Sequence, residues 1–222
     1  MRYKRQEVLS QIKVRGQKKI RNSKIAVVGV GALGTVTTEL LARSGIGELL
    51  LIDKDEVSLL NLQRQLFEEK DVGKPKVLAM KKRINKVNKD VTIKTKKTYL
   101  SEKNVSILNG YELILDCTDN MKARHTINKY CEKTSKKWVH GAASSVIGNV
   151  LVVDNPKKFS QIFRTGETFD NCNEIGVVNT ITTMVASIQV TQALKIILGK
   201  KYSDKLIRIN IWEDEYRLFN IK

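Results

Sequence analysis

The chain has 222 residues with two prolines, thirteen glycines and a 41% hydrophobic fraction, which suits one globular domain with a full core and excludes a fibrous or disordered protein. Its 40 lysines and arginines against 23 acidic residues give a formal net charge of +17. That charge is spread over amphipathic segments such as "MKKRINKVNKD" and "INKYCEKTSKK" with no DNA- or RNA-binding motif, so nucleic acid is not the expected partner, and an anionic substrate or acidic protein fits better.

No apolar run approaches the roughly 20 residues of a membrane span, and the start "MRYKRQEVLSQIKVRGQKK" is too charged for a secretory signal. A cytoplasmic protein without a membrane partner is expected. The three cysteines, Cys117, Cys131 and Cys172, include no C-x-x-C pair, so neither a disulfide framework nor a zinc site is expected.

In chain order, residues 2–21 read as an amphipathic helix or helix pair with Val8, Leu9, Ile12 and Val14 as apolar contacts. "KIAVVGV" (24–30) is a continuous apolar run, the mark of a buried parallel strand. "ALGTVTTELLARSG" (32–45) has helical spacing, and "GELLLID" (47–53) is the second strand. "PKVLAMKKRINKVN" (75–88) is a helix opened by Pro75, followed by a strand near 91–98, a helix from Ser101 to Leu108 and the strand "YELILDC" (111–117).

A helix over 120–135 and a strand over 137–143 come next, and then the alternation changes. "SVIGNVLVVD" (145–154) follows its neighbour through a tight turn and is expected antiparallel. Residues 155–175 read as a long loop. The segment 176–199 is a long core or dimer-interface helix, and 206–212 with 215–221 form a closing hairpin. The expected fold class is α/β, a Rossmann-like nucleotide-binding domain with a mixed, mainly parallel sheet and an antiparallel C-terminal part. It divides into a helical segment (1–22), a nucleotide-binding half (23–135) and a partner-binding or dimer half (136–222).

"VVGVGALG" sets Gly29, Gly31 and Gly34 in a G-x-G-x-x-G pattern between strand and helix, with Ala32 in the same loop. Such a loop lets backbone N–H groups approach phosphate. Asp53 closes the next strand at the spacing of a carboxylate that binds ribose hydroxyls. These residues indicate a nucleotide but leave NAD and ATP open.

The residues after Asp53 favour ATP. Hydride transfer needs a nicotinamide pocket and a positioned acid or base, whereas the two histidines read as a surface residue (His125) and a core residue (His140). A carboxylate attacking a phosphate is already ionised at neutral pH and needs cations and Mg²⁺ instead. Arg64 and Lys76 supply the charge, and Asp119 at the end of a strand is the candidate Mg²⁺ ligand.

Taken together, "RYKRQ" (2–6), "VVGVGALG" (27–34), "LIDKDEVSLLNLQRQ" (51–65), "VGKPK" (72–76), "LDCTDN" (115–120), "GAA" (141–143) and "NCNEIGV" (171–177) resemble the E1-like superfamily of ubiquitin-activating enzymes, in particular its small MoeB/ThiF/HesA-type adenylyltransferases. The resemblance implies that Asp53 and Asp55 belong to the nucleotide-binding set, with Asp53 on the ribose. It implies that Asn61, Arg64 and Lys76 hold the triphosphate, supported by Gln65, while Asp119 holds Mg²⁺ beside Asn120. It further implies a homodimer in which Arg5 reaches the neighbouring site in trans. The implied substrate is a small ubiquitin-like or sulfur-carrier protein ending in Gly-Gly, with a sulfur donor further along the pathway; the alternative is another carboxylate, such as that of a peptide or a modified tRNA nucleoside.

The sequence departs from that pattern in lacking both C-x-x-C pairs that bind zinc in many relatives. A zinc-free member is therefore expected, with a 155–175 loop that stays mobile until a partner binds. Cys172 matches the position of a possible covalent nucleophile, and Cys117 and Cys131 read as packing residues.

Overall fold

The apolar runs become strands buried on both faces. In the computed structural model, which describes residues 2–162 and 176–221, β1 (Lys24–Val28), β2 (Glu48–Asp53), β3 (Thr92–Lys97), β4 (Leu113–Asp116) and β5 (Lys137–Ser144) run parallel. β6 (Ile147–Val153), β7 (Leu206–Asn210) and β8 (Glu215–Phe219) continue the sheet antiparallel. The strand order is β3-β2-β1-β4-β5-β6-β7-β8, the mixed sheet expected from the sequence.

In β1, β2, β4 and β5 alternate residues serve two different cores, whereas the edge strand β3 buries only Ile93. Ile25, Val27, Leu49 and Leu51 face one way, with Leu41 of α3 (Ala32–Ser44), Met80 of α4 (Lys76–Val87) and Ile181 and Val185 of α7 (Asn179–Leu198). Ala26, Val28, Leu50 and Ile52 face the other way, with Ile127 and Tyr130 of α5 (Met121–Thr134) and Phe159 of α6 (Pro156–Ile162). Continuous apolar sequence is what a strand covered on both sides requires.

The chain leaves β1 towards β2 and β3, then returns across it to β4. The strand order therefore reverses between β1 and β4, and in such sheets the crevice at the carboxyl ends of these strands is where ligands bind. Val28 and Asp116 end the two strands.

Several expectations need correction. The N-terminal segment forms α1 (Lys4–Glu7) and α2 (Lys13–Asn22), but Val8, Leu9 and Val14 are exposed. Ile12 packs against the core as expected, and the buried contacts that hold the segment are Tyr3 and Ile20. The Tyr3 ring lies against Gly45, where an added Cβ would fall 2.6 Å from the ring, and its hydroxyl accepts a 2.7 Å hydrogen bond from Asn88 Nδ2.

Ser101 to Leu108 is no α-helix, only a 3-10 turn at Val105–Leu108. Asn104 Oδ1 accepts the Ser101 N–H at 2.8 Å, a local bond that competes with a helix. The span read as one long loop begins with α6, whose seven residues are too few to show a period. Phe159 anchors it, fully buried with its ring 5.0 Å from that of Trp138. The remainder of that loop, with Cys172 and its expected mobility, lies outside the described residues.

Helix α7 is, contrary to the sequence reading, long and apolar enough to cross a membrane, with a mean hydropathy of 1.4. Here it packs Ile181, Val185 and Ala193 into the core. His125 is only half-exposed, its ring edge-on to Phe159 at 5.4 Å.

Candidate nucleotide site

The glycine loop is shaped by close backbone approach. Gly29 has φ 88°, and a Cβ there would stand 2.6 Å from the Cys117 carbonyl oxygen. A Cβ on Gly34 would stand 1.9 Å from the Gly29 oxygen. No side chain caps α3, whose N-cap is Gly31, so its first N–H groups point out of the helix end where an anion is favoured.

Asp53 ties this loop to β2. Its Oδ2 accepts the Val30 N–H at 2.6 Å and its Oδ1 the Asp55 N–H at 2.8 Å. Burial holds its carboxyl above the usual carboxylate range, against the pull of those two donors and of Lys76.

The cationic groups come from the segment after β2. Lys76 opens α4, and its side chain is almost wholly buried, with Nζ 3.2 Å from Asp55 Oδ2. Asp55 thus aims the ammonium. Arg64 donates from Nη1 to the Leu60 carbonyl at 2.9 Å, which leaves its other guanidinium donors available. Asn61 Oδ1 accepts the Ser58 N–H at 3.2 Å, so this residue also closes the turn that carries Arg64. Gln65 is buried beside Gly31, with no hydrogen-bond partner for its Oε1 among the described residues.

On the other side of β1 the segment after β4 carries Asp119, exposed, and Asn120. Asn120 Oδ1 accepts the Ala123 N–H at 2.9 Å as the cap of α5, and the Tyr99 hydroxyl at 2.7 Å. Beneath lies a buried network that sequence reasoning missed. Asp116 Oδ1 accepts from the Thr118 N–H and hydroxyl at 3.0 and 2.6 Å, and Oδ2 meets His140 Nδ1 at 2.7 Å. Burial alone would raise the Asp116 carboxyl, but the His140 bond and the Arg124 charge outweigh it and hold it low. Burial keeps His140 below its ordinary value. Arg124 Nη2 donates to the Thr118 carbonyl at 2.8 Å.

Gln189 of α7 completes the network. Its Nε2 donates to the carbonyls of Asp116 and Val139 at 2.8 and 2.9 Å, while its Oε1 accepts from Thr37 at 3.1 Å and Cys117 at 3.3 Å. Cys117 and Cys131 are buried packing residues, and burial pushes the Cys131 thiol up to about 12. Neither has the lowered pKa of a reactive thiol.

These parts border one cavity of about 930 Å³ at the reversal of the sheet. Gly29, Gly31, Ala32, Asp53, Asp55, Asn61, Arg64, Gln65, Lys76, Asp119 and Asn120 all line it. Gly34 stands behind the loop. Arg5 is exposed on α1 away from the cavity of its own chain. The lining also includes Arg124, Asn149 and Arg208, none of which the sequence singled out.

The donor set fits ATP: a glycine cradle at a helix end, two cations and a half-buried carboxylate at the end of the next strand. Among the described residues no group of three or more His, Cys, Asp or Glu forms a metal cage. Mg²⁺ on a nucleotide uses one or two carboxylates plus phosphate oxygens and water, and Asp119 suits that role.

This fold and crevice define a Rossmann-like nucleotide-binding protein of the E1-like class. The chain belongs to the ThiF family, whose pattern matches residues 3–222. It is 32% identical over 225 residues to the molybdopterin-synthase adenylyltransferase of Salmonella typhimurium, covering 98% of this chain and 90% of that one. It is 34% identical over 220 residues to the Haemophilus influenzae protein of the same name, covering 95% and 90%.

The adenylyltransferase and sulfurtransferase MOCS3 of Culex quinquefasciatus is 35% identical over 207 residues, but the chain spans only 47% of its length. Among solved structures, a crystal structure of Escherichia coli MccB with succinimide has a TM-score of 0.86 at 23% identity, covering 100% of this chain and 72% of that one. A structure of PaaA has a TM-score of 0.84 at 24% identity, covering 99% and 72%. At that identity these two speak for the fold alone.

Proposed function

We propose that the cavity binds ATP with Mg²⁺ and joins AMP to the C-terminal glycine carboxylate of a small ubiquitin-like or sulfur-carrier protein, releasing pyrophosphate. The observation that carries this reading is the convergence of Lys76, Arg64 and Asp119 on one cavity with the uncapped end of α3. His140, the histidine nearest to it, is fully buried and bonded to Asp116 rather than presented to a substrate. The arrangement handles charge, not protons. The names of the molybdopterin-synthase relatives support the same chemistry.

The step needs no base. The substrate carboxylate is ionised near neutral pH, and one of its oxygens forms a bond to the α-phosphorus of ATP. The bond from that phosphorus to the bridging oxygen breaks, and its electron pair leaves with pyrophosphate. Lys76, aimed by Asp55, and Arg64 offset the charge on the phosphoryl oxygens. The N–H groups of α3 do the same from a fixed direction. Asp119 would hold Mg²⁺, which when bound neutralises further charge on the triphosphate. Asp53 would take the ribose hydroxyls, with Asn120 beside the nucleotide.

Arg5 faces outward, so it serves a nucleotide only across a homodimer, at the γ-phosphate of the neighbouring site. The Cys172 thiolate would then bond the acyl carbon as a thioester while the acyl C–O bond to AMP breaks and AMP leaves with the electron pair, and the protein works in the cytoplasm. Exchange of labelled pyrophosphate into ATP tests the reading. Exchange that requires a carrier ending in Gly-Gly supports it. Exchange that requires tRNA, or NAD binding without ATP binding, would overturn it.

A further inference from the structure

The cavity runs across the sheet from Asp53 on β2 to Arg208 on β7. The nucleotide groups described above occupy its β2, β1 and β4 end. The β5 to β7 end is lined differently, by the small residues Gly141, Ala142 and Ser144 together with Asn149 and Arg208.

Ala142, Asn149 and Arg208 are paired in register on neighbouring strands, which puts their side chains on one face. Arg217 of β8 continues the row directly opposite Arg208. Facing arginines repel one another. Arg217 is neutralised by Glu215 at 2.5 Å, whereas Arg208 has no ion pair or side-chain hydrogen bond among the described residues. Asn149 Oδ1 is buried and likewise has no partner among them. A buried amide oxygen without a donor is costly, whereas the exposed Arg208 guanidinium keeps its donors open to an anion. Both groups gain a partner if the cavity receives a ligand that brings an N–H and a negative charge.

We propose that Asn149 and Arg208 form the subsite that reads the carboxylate substrate: Asn149 Oδ1 accepts a backbone N–H of its extended C-terminal segment, and Arg208 offsets the charge of its carboxylate as it approaches the α-phosphate. The inference rests on the functional reading above and adds two specificity-determining residues to it. Backbone recognition beside Gly141, Ala142 and Ser144 favours terminal residues without side chains. The Arg208 guanidinium lowers the repulsion between an incoming anion and the triphosphate.

The test is carrier-dependent pyrophosphate exchange with a ubiquitin-like carrier protein ending in Gly-Gly, alongside direct ATP binding without carrier. Asn149→Leu is expected to raise the KM for carrier about tenfold while the Kd for ATP stays within about twofold. Asn149→Ser, closer in size and polarity, provides the measurement if the leucine variant fails to fold. Arg208→Ala is expected to raise the KM for carrier similarly at low salt and to flatten its salt dependence, and Arg208→Lys to restore both in part. Semisynthetic carriers N-methylated singly at each of the last four residues complete the test. One position is expected to weaken the wild-type enzyme but not the Asn149 variant. If the wild-type enzyme exchanges normally and both variants keep its carrier KM, the inference falls and the functional reading stands. Absence of carrier-dependent exchange by the wild-type enzyme overturns both.

Discussion

Asp53 carries two duties that its pKa links. Its oxygens hold the phosphate loop through the Val30 and Asp55 N–H groups, and its burial favours the neutral acid. The folded-state pKa therefore lies above the ordinary value of about 3.9. As pH falls through the raised value the carboxylate takes a proton, so ionised Asp53 costs stability at neutral pH, and under the proposed ribose role its protonation removes an acceptor. ATP affinity is expected to decline on that acid limb, and Asp53→Asn to bind weakly without it, as titration calorimetry from pH 7 downward would show. Arg64→Ala and Asp119→Ala are expected to lower pyrophosphate exchange by roughly 10²-fold or more. Both sit at exposed or half-exposed loop positions, so thermal melts should stay close to wild type. An unchanged exchange rate in either variant would remove that residue from the chemistry.

At the scale of elements, the parallel half was legible because β1, β2 and β4 are short apolar runs closed by glycine or aspartate, and the helices between them have their own period. Gly29, Gly31, Gly34 and Asp53 could be placed because their roles are local to one strand-turn-helix-strand unit. Gln189 could not. Its value comes from four partners on α3, β4, β5 and the segment after β4, and Thr37 is 152 residues away in sequence. It ties the Cys117 thiol to Thr37 in the helix behind the glycine loop, beside the carbonyl that leaves no room for a Cβ on Gly29. Gln189→Leu should leave those partners unpaired and destabilise the fold by about 3 kcal/mol, measured by urea unfolding; a loss under about 1 kcal/mol would contradict a structural hub. Helix α6 escaped sequence reading because seven residues carry no period, yet Phe159 holds it on Trp138. Phe159→Ala is expected to cost about 3 to 5 kcal/mol.

For the whole molecule, the sheet order places the nucleotide residues of the first half and the β5 to β7 wall of the second half on one cavity. In the second half the motifs reached "GAA" (141–143) on β5 but not Asn149 or Arg208, because these are strand residues whose register no local pattern reveals. Val8, Leu9 and Val14, read as apolar contacts, stand exposed on the segment that carries Arg5, which suits an interface between copies. If Arg5 acts in trans, mixing Arg5→Ala with Asp119→Ala chains should restore about a quarter to a half of wild-type exchange per active site. Failure of every mixture would contradict the shared site.

The central claim is that an acid group acquires AMP in this cavity. The most direct measurement is mass spectrometry of a Gly-Gly carrier incubated with the protein, ATP and Mg²⁺, read together with the phosphate products. A carrier heavier by one AMP at its terminal carboxylate is expected, with one pyrophosphate released for each. A carrier of unchanged mass, or ATP split to ADP and phosphate, would contradict it.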